Sequence, residues 1–230
     1  MSGCSFSGRG IKFALPDACS QTVIHRGTVE DMLDWSSRDE SNKAFRLNAL
    51  LYLLAYTFLL RVPSEALPMV VGRLGQPCEA KSILYLGEDD TLVLELKSRK
   101  NKPQGSKLIR RCCCSRHPKS CALHLIKPLL ESAETGTAMF KLISPDDAVK
   151  KLRQLLSAVG VRDARLYRPH DLRRGHAEDL RLEGAPLWKI LAAGEWRSAA
   201  FQAYLGLHKL DVDDALSGAL DDESDDDIEP

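Results

Sequence analysis

Two hydrophobic periods alternate along the chain, and the switches between them lay out the elements. The longest apolar run, LNALLYLLAYTFLL, spans Leu47–Leu60 between Arg46 and Arg61. Being apolar all round, it predicts a buried core helix over about 41–61. It is too short for a membrane span, which needs about 20 residues. Pro63 restarts the chain in a short second helix through Leu67. Three segments then read as strands: SILYLG at 82–87, TLVLEL at 91–96 and SKLIRR at 106–111. The turn formers GEDD and NKPQG between them predict a small three-stranded antiparallel sheet.

Helical spacing returns in CALHLIKPLL, which predicts a helix near 120–131. The clearest boundaries follow. Ser144 is placed as N-cap, with Pro145 next and Asp147 three residues on, before Val149, Leu152, Leu155, Leu156 and Val159, and Gly160 closes the helix. Further helices are expected at about 170–182, 186–192 and 198–207. Residues 1–39 mix Gly, Ser, Pro and charge, with a short helix expected only at TVEDMLDW behind Thr28. The expected organisation is an irregular arm over 1–39, an α+β domain over 40–210 and an acidic, disordered tail over 211–230.

Composition changes this picture little. The chain is 44% hydrophobic and 28% charged, as ordinary soluble proteins are. Its zero net charge conceals a division, because residues 1–210 hold all 32 basic side chains and 22 of the 32 acidic ones. A body with that surplus suits a polyanion such as nucleic acid. The N-terminus lacks a charged start followed by an apolar stretch, so an intracellular location is expected, with no membrane. Seven cysteines, three of them adjacent at Cys112, Cys113 and Cys114, do not form a disulfide framework for such a compartment.

Four local motifs in order suggest a family. HDLRRG at 170–175 resembles the HxLR box of the tyrosine recombinases, or phage integrase family. GEWRSAAFQAYL at 194–205 resembles the closing motif of that family, in wording nearest to recombinases of eukaryotic mobile elements. LLRVPSEAL at 59–67 is similar to the box of its first arginine, and LKSRKNKPQG at 96–105 to its lysine-bearing β-hairpin. The resemblance covers about residues 40–207. It implies a mainly helical catalytic domain with a small sheet that acts on double-stranded DNA, with self-association on the DNA.

The chemistry explains why these residue types belong together. A tyrosine hydroxyl, with a reference pKa of about 10, is a weak nucleophile and a phosphodiester a poor, anionic electrophile. Two fixed guanidiniums can hold the pentavalent transition state, where losing one donor costs on the order of 100-fold in rate. The resemblance assigns this to Arg61 and Arg173. It makes Lys100 the proton donor to the leaving 5′-oxygen, His170 the proton-transfer assistant, Trp196 a donor to a phosphate oxygen and Tyr204 the nucleophile. Bond energy is kept in the phosphotyrosyl ester, so the resemblance implies no cofactor.

Several departures leave alternatives open. Glu65 lies four after Arg61, whereas the family places an acid three after. Lys97 and Lys102 compete with Lys100. Glu195 lies nine before Tyr204 and Trp196 eight; a carboxylate would repel phosphate, so Trp196 is preferred. The family's helical DNA-binding domain has no counterpart in 39 irregular residues, which implies weak binding, a fragment or a domesticated descendant. An inactive DNA- or protein-binding module and type IB topoisomerase-like relaxation are therefore the other readings. KSRKNK also reads as a nuclear localisation patch. His176 is expected to pack or face solvent. Cys112, Cys114, Cys121 and His124 could supply four zinc ligands, but their spacing matches no strong zinc signature and free cysteine is commonly just buried. No metal is therefore expected.

Overall fold

The segment expected to be irregular before residue 40 contributes the first helix of the domain. The computed structural model describes residues 22–99 and 102–196, so the expected 198–207 helix and the acidic tail lie outside the described residues. Helix α1 (Arg26–Arg38) buries Val29, Met32, Leu33 and Ser36, spaced by three, one and three residues along one face. Its N-cap is His25 instead of Thr28. The carboxylate of Asp179 accepts the Arg26 N–H at 2.8 Å, placing negative charge at the helix start from a distant part of the chain. No local capping signal could have revealed that start.

A 3₁₀ turn over Glu40–Phe45 leads into helix α2 (Arg46–Thr57), buried continuously from Asn48 to Tyr56. The expected 41–61 helix is thus shorter at both ends. A turn with π-type bonding over Val62–Ala66 carries Pro63 near its start. The sheet has four strands, not three: β1 (Met69–Val71), β2 (Ser82–Leu86), β3 (Thr91–Leu96) and β4 (Ser106–Arg111), in that order. β1 runs parallel to β2 and the other pairs are antiparallel. At three residues, β1 is too short to display a period of two. Leu84, Leu94 and Leu108 stand opposite one another, so one sheet face enters the core.

Helices α3 (Ala122–Ser132) and α4 (Pro145–Ala158) follow close to their expected positions. At the α4 start the Ser144 hydroxyl accepts the Asp147 N–H at 3.1 Å, and Gly160 adopts φ +83° beyond its end. Helices α5 (His170–Leu182) and α6 (Leu187–Gly194) complete the described chain. The main core joins α1 to α4 with Leu172 of α5 and the inner sheet face, and a smaller one joins Leu59 to Ala177, Ile190 and Leu191. Among the described residues no helix is long and apolar enough to cross a membrane.

α5 is held by contacts that explain its unusual composition. Asp179 joins three elements, receiving the Arg26 N–H, the Tyr56 hydroxyl at 2.5 Å and the His25 imidazole at 2.6 Å. His176 donates from Nδ1 to the Tyr56 carbonyl at 2.7 Å and lies against the Tyr56 ring, 4.6 Å between centroids. Burial, with the positive field of Arg110 behind it, pushes its imidazole down to about 4. Gly175 permits the close approach of the chain before α1, since a Cβ there would lie 1.8 Å from the Ile24 carbonyl oxygen. That approach lets the Ile24 N–H reach the Asp171 carbonyl at 3.0 Å.

Two outcomes follow. Gly175→Ala improves helix propensity by about 1 kcal/mol, but the clash with Ile24 outweighs it. Urea unfolding should show a net loss of about 2 kcal/mol or more, read from the midpoint at unchanged slope. For His176 the depressed pKa means that the unfolded chain takes up its proton first as the pH falls. Its contribution is complete above about pH 6.5 and is lost on going down toward pH 4. Wild type should lose about 2 kcal/mol more than His176→Gln between pH 7 and pH 5, and equal losses would refute this.

Candidate active site

Two helix endings of the same design deliver the central residues. Beyond α2 the Leu60 N–H bonds to the Ala55 carbonyl and the Leu59 N–H to that of Tyr56, with Leu59 at φ 51°. Beyond α6 the Trp196 N–H bonds to the Leu191 carbonyl and the Glu195 N–H to that of Ala192, with Glu195 at φ 50°. Each is a Schellman turn that places a side-chain-bearing residue where glycine is the usual choice. A left-handed residue that is not glycine costs about 1–2 kcal/mol. The first turn aims Arg61 into the site, and the second brings in Glu195 and Trp196.

A buried ion network joins these turns to the hairpin between β3 and β4. Arg99 donates from Nε and Nη2 to the two oxygens of Glu65, each at 3.0 Å, and from Nη1 to Glu195 at 2.7 Å. Glu65, 3% exposed, also accepts the Arg61 backbone N–H at 2.8 Å and the Arg61 guanidinium at 3.0 Å. Burial alone would raise the Glu65 carboxyl; the Arg99 guanidinium, then Arg61, outweighs it and holds the group below the usual carboxylate range. Glu195 is lowered likewise: burial opposes, while Ser106, Lys102 and Arg99 prevail. Its oxygens accept Ser106 Oγ at 2.7 Å and Lys102 Nζ at 3.0 Å.

Arg173, on the first turn of α5, is 1% exposed and donates from Nη2 to the Gly194 carbonyl at 2.6 Å. Its guanidinium lies 4.8 Å from the centre of the Trp196 ring. Arg61, Arg99 and Arg173 meet with Gly194 and Glu195 around a crevice too tight to admit a water molecule. His170, one turn before Arg174, is half-buried. Burial, then the charges of Arg174 and Arg173, lowers its pKa and so favours the neutral imidazole.

The structure therefore brings Arg61, Arg173, His170 and Trp196 to one region. Lys100 and Tyr204 lie outside the described residues. Of the competing lysines, Lys97 is exposed and Lys102 is bound to Glu195. Arg174 donates to Asp171 Oδ1 at 3.2 Å. Sequence reasoning missed Arg99, hidden among three other basic residues in LKSRKNK, and it undervalued Glu65 and Glu195. The available signal was that these two acids flank the cationic boxes, where only a partner cation makes a buried carboxylate tolerable.

The fold itself has counterparts among solved structures. No family model matches the chain, and no curated protein matches it in sequence. Among solved structures it is similar to the site-specific recombinase XerH bound to its difH substrate before cleavage, with a TM-score of 0.57 and 14% identity over 86% of this chain. XerH on palindromic difH after cleavage gives 0.55 and 17% over 85%. The fold is that of a tyrosine recombinase catalytic domain. The chain spans about half the length of these recombinases, 54% and 52%.

Removing one partner of the buried network leaves an uncompensated charge. Glu65→Ala should cost about 3–5 kcal/mol in urea unfolding. Glu40→Ala, which removes only the exposed partner of Lys43, should stay within about 0.5 kcal/mol of wild type. Similar losses in the two variants would contradict a buried network.

Proposed function

We propose that this domain cuts and rejoins double-stranded DNA through a 3′-phosphotyrosyl intermediate. The observation that carries the proposal is the convergence of Arg61, from the chain beyond α2, and Arg173, from the first turn of α5, with His170 and Trp196 beside them. Arg61 and Arg173 neutralise the non-bridging oxygens of the phosphate. Tyr204 Oη attacks phosphorus and gives up its proton to the neutral imidazole of His170. The bond to the 5′-oxygen breaks as Lys100 protonates that oxygen. Attack by a 5′-hydroxyl reverses each step and releases the tyrosine. That both neighbours are recombinases on difH DNA supports duplex DNA as the partner here. Self-association and a DNA-clamping domain supplied from outside residues 22–196 belong to the same proposal.

One observation favours a second reading, a binding module without chemistry. Arg173 is almost fully enclosed, with Gly194 carbonyl on its Nη2 and Trp196 over its face. In the enzyme reading the 194–196 segment must move so that phosphate replaces that carbonyl.

The two readings separate on nicked duplexes drawn from a random-sequence library and resolved on a denaturing gel. The enzyme gives a covalent protein–DNA adduct that vanishes in Tyr204→Phe and falls about 100-fold or more in Arg173→Ala. DNA retention in a native gel with no adduct in any pool selects the binding module.

A further inference from the structure

Outside the site, the turn between β4 and α3 gathers four soft ligands. Cys112 and Cys114 lie just beyond β4, Cys121 is the residue before α3, and His124 is in the first turn of that helix. Their ligand atoms all lie within 4.8 Å of one another. From His124 Nδ1 the sulfurs of Cys114, Cys121 and Cys112 stand at 3.1, 3.3 and 3.7 Å. Tetrahedral zinc, with sulfur at about 2.3 Å and nitrogen at about 2.0 Å, requires S···N edges of about 3.5 Å and S···S edges of about 3.8 Å. The three S···N distances scatter around the S···N edge of that tetrahedron.

The surroundings of the sulfurs also suit a metal. The Cys113 N–H points at Cys121 Sγ and the Cys114 N–H at Cys112 Sγ, both at 3.5 Å. Backbone donors of this kind orient and stabilise thiolate ligands. Cys113, in the middle of the triplet, directs its own sulfur toward the His117 carbonyl at 3.9 Å. The triplet thus divides into two ligands and one spacer, a division its composition conceals.

We propose that Cys112, Cys114, Cys121 and His124 bind one zinc ion in a closed, structural site. Four protein ligands leave no position for a reactive water, so the ion fixes shape and takes no part in chemistry at the crevice. What it fixes is the 112–121 turn, which docks on α1. There Ser120 donates to Glu30 at 2.6 Å, Lys119 pairs with Asp34 at 3.2 Å, and His117 meets Arg26 at 2.8 Å.

The test is metal analysis of the full chain purified without chelator or affinity metal, followed by cobalt(II) substitution. About one zinc per chain is expected, and the cobalt form should show tetrahedral d–d bands with thiolate charge transfer. Cys114→Ser and Cys121→Ser should lose the ion, while Cys113→Ser and Cys78→Ser keep it. His124→Cys guards against variants that merely misfold, since it preserves four ligands and should retain metal with a stronger charge-transfer band. Zinc below about a tenth per chain with no cobalt spectrum would overturn the proposal, and so would full retention in both Cys114→Ser and Cys121→Ser.

Discussion

A carboxylate shut away from water must be matched by cations, and Glu65 is matched by two. Its oxygens hold Arg99 from the hairpin and Arg61 from the chain beyond α2. Arg99 in turn holds Glu195 at the end of α6. Desolvating these charges is expensive, and replacing such a network with apolar side chains often leaves a protein no less stable. Its effect here is geometric. It ties the hairpin and the ends of two helices to a common point, and the cationic crevice takes its shape from that point.

Elements with a clear period or a local cap were readable from residues alone. The strands at 82–86, 91–96 and 106–111, and α4 behind its Ser144 cap, are where pattern and turn chemistry place them. What was illegible depends on distant partners. The start of α1 relies on Asp179, 153 positions away in sequence, and the end of α2 on a leucine standing where glycine would have announced a turn. Of the candidate site, Arg61, His170, Arg173 and Trp196 could be singled out because their spacing is local to three motifs. Arg99 could not, since burial chose it from among four basic residues and composition carries no burial.

The same limit applies to the cysteine cluster. CCCSRHPKSCALH has no spacing that announces a metal knuckle, because one of its three adjacent cysteines turns away and the loop between ligands is closed by contacts to α1. Only the fold places Cys112, Cys114, Cys121 and His124 around one point. β4 is attached to α2 as well, by Arg110 donating to the Thr57 carbonyl at 3.0 Å and lying over Phe58. The strand that returns from the hairpin is therefore fastened at its start through Ser106 to Glu195 and at its end through Arg110.

The left-handed residues Leu59 and Glu195 carry a mechanical consequence. Glycine would have made the same turns with less strain, but it would have had nothing to offer beyond them. Leu59 fills the small core against α5 and α6, and Glu195 reaches the hairpin through Arg99, Lys102 and Ser106. The ends of α2 and α6 are thereby geared to one another and to the β3–β4 hairpin. The Gly194 carbonyl on Arg173 and the Glu195 carboxylate on Arg99, Lys102 and Ser106 are neighbours in sequence, so the cover of the arginine and the anchor of the hairpin are one piece of chain.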